Sequence, residues 1–392
     1  MNPLLAQVTS SSATSYSAEE MSVLLNDIKQ RALLGEFDHQ RMISRDIIER
    51  LREAGIYRAL VPKQFGGSQC SPAEFCQLIE CISEYDGSTG WVASFGMSPV
   101  YLASLPLETI KALYAQQKGA DTIFAAGLFP FQPATRVSGG LKINGRWKYS
   151  SGSPGADIIG VGIQPVTQDA KELPLIAVLP RDQVSIDPTW ETTGLLGTGS
   201  NDIVVQDIIV PEAWTFIRGG QPNLDEPLFR YPSIAFATQV LSVVGLGIAR
   251  RAINEVRQIA EANSSVTGAP SMSKRPVALT EIAKAEARLR SARSFFYEAI
   301  NDVWETILKG DALSTDQKNL LRLSCTHGVR EAAEICRSMQ LIMGMGGVAQ
   351  SSAVARCVND SFVVTQHAFM GDVTLQNAGS VFCGQTPLPG YI

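Results

Sequence analysis

Gly139-Gly-Leu-Lys-Ile-Asn-Gly-Arg-Trp-Lys-Tyr-Ser-Ser151 is the stretch that decides the class of this fold. It is β-branched and aromatic, with turn formers between, which is the composition of strands. Its Asn144-Gly145 pair predicts a hairpin turn, because a type I′ turn needs positive φ at both central positions. The same texture surrounds it, in IFAAGLF (123–129), DIIGVGIQPV (157–166), LPLIAVLP (173–180) and NDIVVQDIIVP (201–211). This block begins near Asp121, ends near Pro211, and predicts a small β-barrel or sandwich.

On both sides of the block the pattern is helical. Ser17 and Glu20 form a capping box ahead of Met21, Val23, Leu24, Leu25, Ile28 and Leu33, spaced as one helical face. Further helices are expected near Met42–Ala54 (stopping at Gly55), near Pro72–Glu84, from about Gly90, and near Leu107–Gln117. Beyond the strands, Ile234–Ala262, Val277–Lys309, Thr315–Met343 and Ser352–Thr365 carry apolar residues at three- and four-residue spacing, as in a four-helix bundle. Asn263–Arg275 is a long polar loop of the functional or mobile kind. The fold class is therefore α+β, in three parts: an N-terminal helical domain (1–120), a central β-domain (121–215) and a C-terminal four-helix bundle with its tail (216–392).

Composition narrows the functions. The 392 residues are 45% hydrophobic and 18% charged, below the usual charged share of roughly a quarter, which points to surface hidden between subunits. The net charge of −5, with no basic stripe, argues against nucleic acid. The N-terminus lacks the basic and apolar regions of a signal peptide. No apolar run reaches the roughly 18 residues of a membrane span. Seven scattered cysteines without CxxC spacing fit a reducing cytoplasm. Three distant histidines and no HExxH make a protein-bound metal site unexpected.

Four segments carry candidate chemistry. Thr365-Gln-His-Ala-Phe-Met-Gly-Asp-Val-Thr374 places His367 and Asp372, a titratable pair, in an uncharged neighbourhood; the plain alternative is a buried histidine and a helix-capping aspartate. Gly344-Met-Gly346-Gly347 follows a helix, so it is not a Rossmann loop; it is either a helix C-cap or a close-approach turn against a cofactor. Tyr149-Ser150-Ser151-Gly152 consists of turn formers, or it presents a hydroxyl and a backbone N–H to a flat heterocycle. Gly90-Trp91-Val-Ala-Ser94-Phe95 is helix core, or one wall of a ring-binding slot.

The order and length of the three parts resemble the acyl-CoA dehydrogenase fold along essentially the whole chain. LREAGIYRALVPKQFGG (51–67) resembles that family's N-terminal segment, GTGSNDIVVQDIIVPE (197–212) its final β-domain strand, and QLIMGMGGVAQSS (340–352) the glycine turn that meets flavin from a neighbouring subunit. Two motifs depart. Phe124-Ala-Ala-Gly-Leu-Phe-Pro130 stands where the dehydrogenases carry an LTEP..GSD-type flavin segment. Met370-Gly-Asp372-Val-Thr stands where many carry their catalytic glutamate, and no glutamate follows Glu334. Removing an α-proton from an acyl thioester needs a placed carboxylate.

Within that fold the chain resembles the oxygenase components of two-component flavin monooxygenases, such as 4-hydroxyphenylacetate hydroxylase and the indole and indole-3-acetate oxygenases. Tyr149-Ser-Ser-Gly152 resembles their WSSG-type strand end, His367-Ala-Phe369 their C-terminal histidine motif, and Gly90-Trp91-Val-Ala-Ser94 their (A/G)W..S helix. Met97-Ser98-Pro99-Val100-Tyr101 lacks the histidine with which the phenol hydroxylase meets its substrate, so an indole-like ring is expected. The resemblance implies a reduced-flavin-dependent monooxygenase acting on a small aromatic through a C4a-hydroperoxyflavin, with O₂ and reduced flavin (FADH₂, with FMN possible) supplied from solution and from a separate reductase. It implies a homotetramer.

His367, Asp372 and Ser151 are the expected catalytic residues, with Ser151 holding the flavin N5–H. The expected flavin contacts are Trp91, Ser94, Phe124, Ala126, Gly127, Ser150, Ser151, Gly152, Gly344, Gly346, Gly347 and Thr374. Trp91, Phe95, Met97, Tyr101 and Phe369 are expected to line the substrate pocket, an apolar set without an arginine clamp that suits a neutral flat ring. Three other activities share the architecture: a nitroalkane-oxidase-like reaction with Asp372 as base, acyl-CoA dehydrogenation, and sulfur-compound monooxygenation.

Overall fold

The computed structural model describes residues 3–11, 13–166, 173–262, 270–388 and 390–391. The N-terminal helices are α1 (Pro3–Thr9), α2 (Ala18–Leu33), α3 (Glu36–Gln40), α4 (Arg45–Glu53), α5 (Pro72–Tyr85), α6 (Gly87–Ala93), α7 (Pro99–Leu102) and α8 (Leu107–Tyr114). The capping box forms: the Glu20 amide donates to Ser17 Oγ, and the Ser17 amide donates to Glu20. Met21, Leu24, Leu25 and Ile28 are buried, whereas Val23 and Leu33 are exposed. The 3.6-residue repeat carries those two off the buried stripe.

The central domain is one seven-stranded mixed sheet. Its strands are β1 (Phe124–Val137), β2 (Gly140–Ser150), β3 (Ile158–Pro165), β4 (Leu175–Pro180), β5 (Ser185–Asp187), β6 (Asn201–Val210) and β7 (Thr215–Ile217). They lie in the order β5-β6-β2-β1-β3-β4-β7, with β1 and β3 parallel. The β1–β2 turn is not at Asn144-Gly145. Val137 pairs with Gly140, so Ser138 and Gly139 make the turn, with φ +97° at Gly139. Asn144-Gly145 lies inside β2, where pairing with β6 shifts between Ile143 and Gly145. The extra residue of this bulge lies on β6, where Asp207 takes φ +54°, so it is crowding that calls for the glycine. Here a Cβ on Gly145 would sit 2.5 Å from Gln132 Cγ.

The C-terminal part contains α9 (Ser233–Glu261), α10 (Pro276–Lys309), α11 (Thr315–Met343), α12 (Ala353–Thr365) and a further helix, α13 (Asp372–Phe382), which the periodicity did not indicate. Of the polar loop after α9, residues 263–269 lie outside the described residues. Contrary to the sequence expectation, α9 is long and apolar enough to cross a membrane by length and composition, but 83% of its most apolar window is buried inside the protein. Its low charge therefore serves this chain's own core.

Glycines fix the height of α6 against its neighbours. Asp86 caps α6 by accepting the Thr89 amide at 2.8 Å. Gly90 lies so close to α5 that a Cβ would collide with Ser83 Oγ. On the other side of the same serine, a Cβ on Gly247 of α9 would sit 2.6 Å from Ser83 Cβ. The three helices thus meet backbone to backbone around Ser83, and Trp91 of α6 is held in that packing.

Candidate active site

Between α12 and α13 the chain makes a short 3-10 turn, Ala368–Met370, capped by His367. The Phe369 amide donates to His367 Nδ1 at 3.3 Å. From α13, Thr374 Oγ1 donates to the Phe369 carbonyl at 3.0 Å. An Nδ1 that accepts leaves the ring proton on Nε2, so the neutral imidazole presents an N–H. The ring stands 5.8 Å from Trp91 and 4.8 Å from Phe369, centroid to centroid, both edge-on. Burial, and then the positive charge of Arg218, lower the His367 pKa to about 4. His367 is therefore a neutral hydrogen-bond donor at physiological pH rather than a group poised at its ordinary pKa of ~6.5.

Asp372 does not join it. It begins α13, is almost fully exposed, and pairs with Arg330 at 2.6 Å. In an acidic first turn at a helix N-terminus a carboxylate is stabilised by the helix dipole. The expectation that it orients His367, or acts as an oxidase base, is not met within the chain.

The second wall is the end of β2. Tyr149 and Gly152 have φ of +60° and +73°, so the strand kinks on either side of Ser150-Ser151. The Gly152 amide donates to Thr198 O at 2.8 Å. Ser151 Oγ lies 2.6 Å from Ser200 Oγ, which lies 2.7 Å from Thr198 Oγ1, which donates to Leu195 O at 2.9 Å. A carbonyl can only accept, so all three contacts are satisfied when each hydroxyl donates toward Leu195. That polarity uses the Ser151 proton and leaves Ser151 Oγ as an acceptor for a ligand N–H. Ser150 and Ser153 are fully buried with hydroxyls that lack a partner, the usual signature of a group waiting for water or ligand. A Cβ on Gly152 would sit 3.6 Å from Val92 and 3.7 Å from Phe95, so this wall abuts the helix that carries Trp91.

Leu195 itself is anchored from the bundle. Its amide donates to Asp360 Oδ1 at 2.6 Å. Asp360 belongs to a buried cluster in which Arg356 meets Asp38, Asp86 and Asp360 at 2.5, 3.1 and 3.8 Å. Three carboxylates around one guanidinium cannot all ionise cheaply away from water. Burial accordingly raises Asp360 to about 6, against the opposing pull of Arg356.

The remaining expected residues divide. Trp91, Met97 and Ser94 are buried, and Phe95, Tyr101 and Phe369 are half-buried. Ser94 Oγ donates to Trp91 O at 2.7 Å, so its hydroxyl serves its own helix rather than a cofactor. Phe124 and Gly127 turn into the sheet's own packing. Phe124 closes over Gly160, and a Cβ on Gly127 would sit 2.9 Å from Trp147 Cβ. Ala126 pairs with Gly160 in β1–β3. Their small size is explained inside the β-domain. Thr374 is buried and holds the Phe369 turn rather than facing outward. Gly344 (φ +58°) and Gly346 have nothing within 4 Å of where a Cβ would be, and Met345 between them is exposed, while Gly347 is buried against Gln340.

The pocket does contain arginines. Arg218, just after β7, holds its guanidinium carbon 5.1 Å from the Phe369 ring centroid and 5.8 Å from that of Tyr101. Arg322 of α11 stands 5.8 Å from the same Phe369 ring. The expectation of a pocket without an arginine clamp is thus overturned. Arg218 and Arg322 are 104 residues apart in sequence and carry no local motif, so only the tertiary fold reveals them. Ser200 and Thr198 were equally hidden, although they lie in the GTGSN turn before β6.

The geometry fits a flat heteroaromatic cofactor at the kinked strand end, with its N–H donated to Ser151, and an aromatic substrate between Trp91, Tyr101, Phe369 and the His367 N–H. Family models for the acyl-CoA dehydrogenase N-terminal and C-terminal domains match residues 26–112 and 239–372. The indole-3-acetate monooxygenase of Pseudomonas putida is 62% identical over 376 residues, 96% of each chain. The oxygenase subunit HsaA of a flavin-dependent monooxygenase from Rhodococcus jostii is 32% identical over 211 residues, 53% of this chain and 54% of its own. Among solved structures, XiaF from Streptomyces sp. in complex with FADH2 and glycerol superposes with a TM-score of 0.88 over 98% of this chain and 97% of its own, at 19% identity.

Proposed function

The chain belongs to the flavin-dependent monooxygenases of the acyl-CoA dehydrogenase fold, and on that premise we propose that it oxygenates the indole ring of indole-3-acetate. The observation that carries the proposal is a neutral His367 set edge-on between Trp91 and Phe369, with no carboxylate paired to it among the described residues to act as a dehydrogenase base. The 62% identity to an indole-3-acetate monooxygenase supports the substrate.

Ser150, Ser151 and Gly152, backed by Phe95, are the residues that would hold the flavin ring. When bound, reduced flavin supplies the two electrons and activates O₂, so that one oxygen atom enters the substrate and the other leaves as water. Ser151 Oγ, held through Ser200 and Thr198, would accept the hydrogen bond from the flavin N5–H. Retaining the N5 proton is what opposes loss of hydrogen peroxide. Trp91, Met97 and Phe369 exclude water from the substrate side. His367 would donate from Nε2 to an acceptor on the substrate side, stabilising charge as it develops. A separate reductase supplies the reduced flavin, FAD being favoured by the glycine turn exposed at Gly344–Gly346.

Homotetrameric assembly belongs to the same proposal. Leu341, Met345, Val348, Phe362 and Phe382 are exposed apolar residues in the C-terminal part, and such residues call for a covering surface. Cytoplasmic residence is supported by seven cysteines that are all free thiols.

The test supplies the protein with FADH₂ from a flavin reductase, ¹⁸O₂ and indole-3-acetate. One ¹⁸O atom in the product is expected. Consumption of O₂ that ends wholly as hydrogen peroxide refutes the proposal.

A further inference from the structure

Two guanidinium groups converge on one ring with no anionic side chain paired to either among the described residues. Arg218 and Arg322 both stand against Phe369, 5.1 and 5.8 Å from its centroid. Arg322 is only 6% exposed, and its one hydrogen bond among the described residues is from Nη1 to the Tyr391 carbonyl at 3.1 Å. The Nε atoms of both arginines are buried and have no partner. Neither arginine takes part in an ion pair among the described residues, although most of the other arginines do. Burial disfavours the charge on Arg322, and the nearby positive charge of Arg218 adds to this.

Placing two like charges against one ring, one of them buried and each with an unspent Nε donor, is costly unless an anion arrives to share them. The surroundings state what kind of anion. Trp91, Tyr101, His367 and Phe369 form an aromatic slot, so the ligand that brings the charge also brings a flat ring. A guanidinium fork binds a carboxylate through two parallel N–H bonds.

We propose that Arg218, backed by Arg322, binds the substrate's carboxylate and so selects an arylacetate over the neutral ring. This rests on the pocket being the aromatic-substrate site. It makes the arginines, rather than the aromatic lining, the source of discrimination.

Binding of indole-3-acetate and of indole-3-acetamide, its neutral isostere, is measured by calorimetry on the full-length wild type and on Arg218→Gln and Arg218→Lys. Wild type is expected to prefer the carboxylate by about 30-fold or more, the range of one or two charge-assisted hydrogen bonds. Arg218→Gln is expected to erase that preference with little change for the amide, and Arg218→Lys to restore part of it. Equal affinity of wild type for acid and amide overturns the proposal, whether or not the protein proves to be an oxygenase. So does an Arg218→Gln protein that loses both ligands equally, or one that loses only FADH₂ affinity, which would assign the arginine to the cofactor. The ¹⁸O experiment reports separately on the oxygenase reaction.

Discussion

His367→Asn tests whether the histidine works as a neutral donor. Asparagine keeps an oxygen that can accept the Phe369 amide and an N–H₂ that can donate, but it cannot take up a proton. The wild-type pKa, lowered to about 4 by burial and by Arg218, lies about 2.5 units below the ordinary value of ~6.5, or about 3 kcal/mol against the imidazolium. The unfolded chain takes up this proton near pH 6.5 and the folded chain does not until near pH 4. Stability from this residue is thus complete above pH 6.5 and lost as the pH falls to 4. Wild type should lose about 3 kcal/mol over that window relative to His367→Asn, read from urea unfolding at pH 7, 5.5 and 4. The His367 ring resonance, assigned by its absence from the variant, should titrate near pH 4, and product yield per flavin oxidised should show no histidine limb between pH 5.5 and 8. A ring titrating above pH 6, or identical pH slopes for the two proteins, refutes the reasoning.

His367→Ala removes the donor and should lower product yield by about 10²-fold with a matching rise in hydrogen peroxide, measured by product chromatography and a peroxide assay. Ser151→Ala removes the acceptor for N5–H, and Ser200→Ala only frees the Ser151 proton. The first should speed peroxide release more than the second in stopped-flow decay of the oxygenated enzyme. Asp360, raised to about 6, holds its proton in the folded state between pH 4 and 6 while the unfolded chain has lost it. Stability therefore falls as pH rises through that window, by at most about 3 kcal/mol, opposite in sign to His367; Asp360→Asn should abolish this slope in denaturation curves. Gly90→Ala should destabilise the fold by about 1–3 kcal/mol of overpacking or more, read as a lower melting temperature, because Ser83 Oγ stands where the new methyl would go.

The helices were legible because their signals are local. The Ser17–Glu20 box and the apolar stripes of α9 to α12 depend on spacing alone, and the bounds of α11 agree to the residue. The Asn144-Gly145 turn was misread because glycine also serves where a neighbour crowds a strand, as Gln132 crowds Gly145, and only strand register tells that from a hairpin. His367, Trp91 and Phe369 could be found because they sit in short motifs, and the fold brings them together. Asp372 misled because its neighbourhood in sequence is uncharged, whereas its neighbour in space is Arg330. Ala126 and Gly127 misled because small residues in a strand suit a cofactor and a crowded sheet equally well. Arg218 and Arg322 had no signal at all: each is an isolated arginine whose meaning comes from the absence of a carboxylate nearby in three dimensions.

The glycine contacts around Ser83 divide the pocket into parts that can and cannot change. The floor carrying Trp91 is wedged between two other helices with no room even for a methyl, so altering it means repacking the core of the whole molecule. The rim is different in kind. Arg218 hangs from a three-residue edge strand, and His367 and Phe369 sit on a single short turn. New acceptors can therefore arise by exchanging a few rim side chains while the oxygen-activating wall stays as it is. A library built to alter substrate choice belongs at positions 218, 322 and 369, and mutations at 83, 90 and 247 belong outside it.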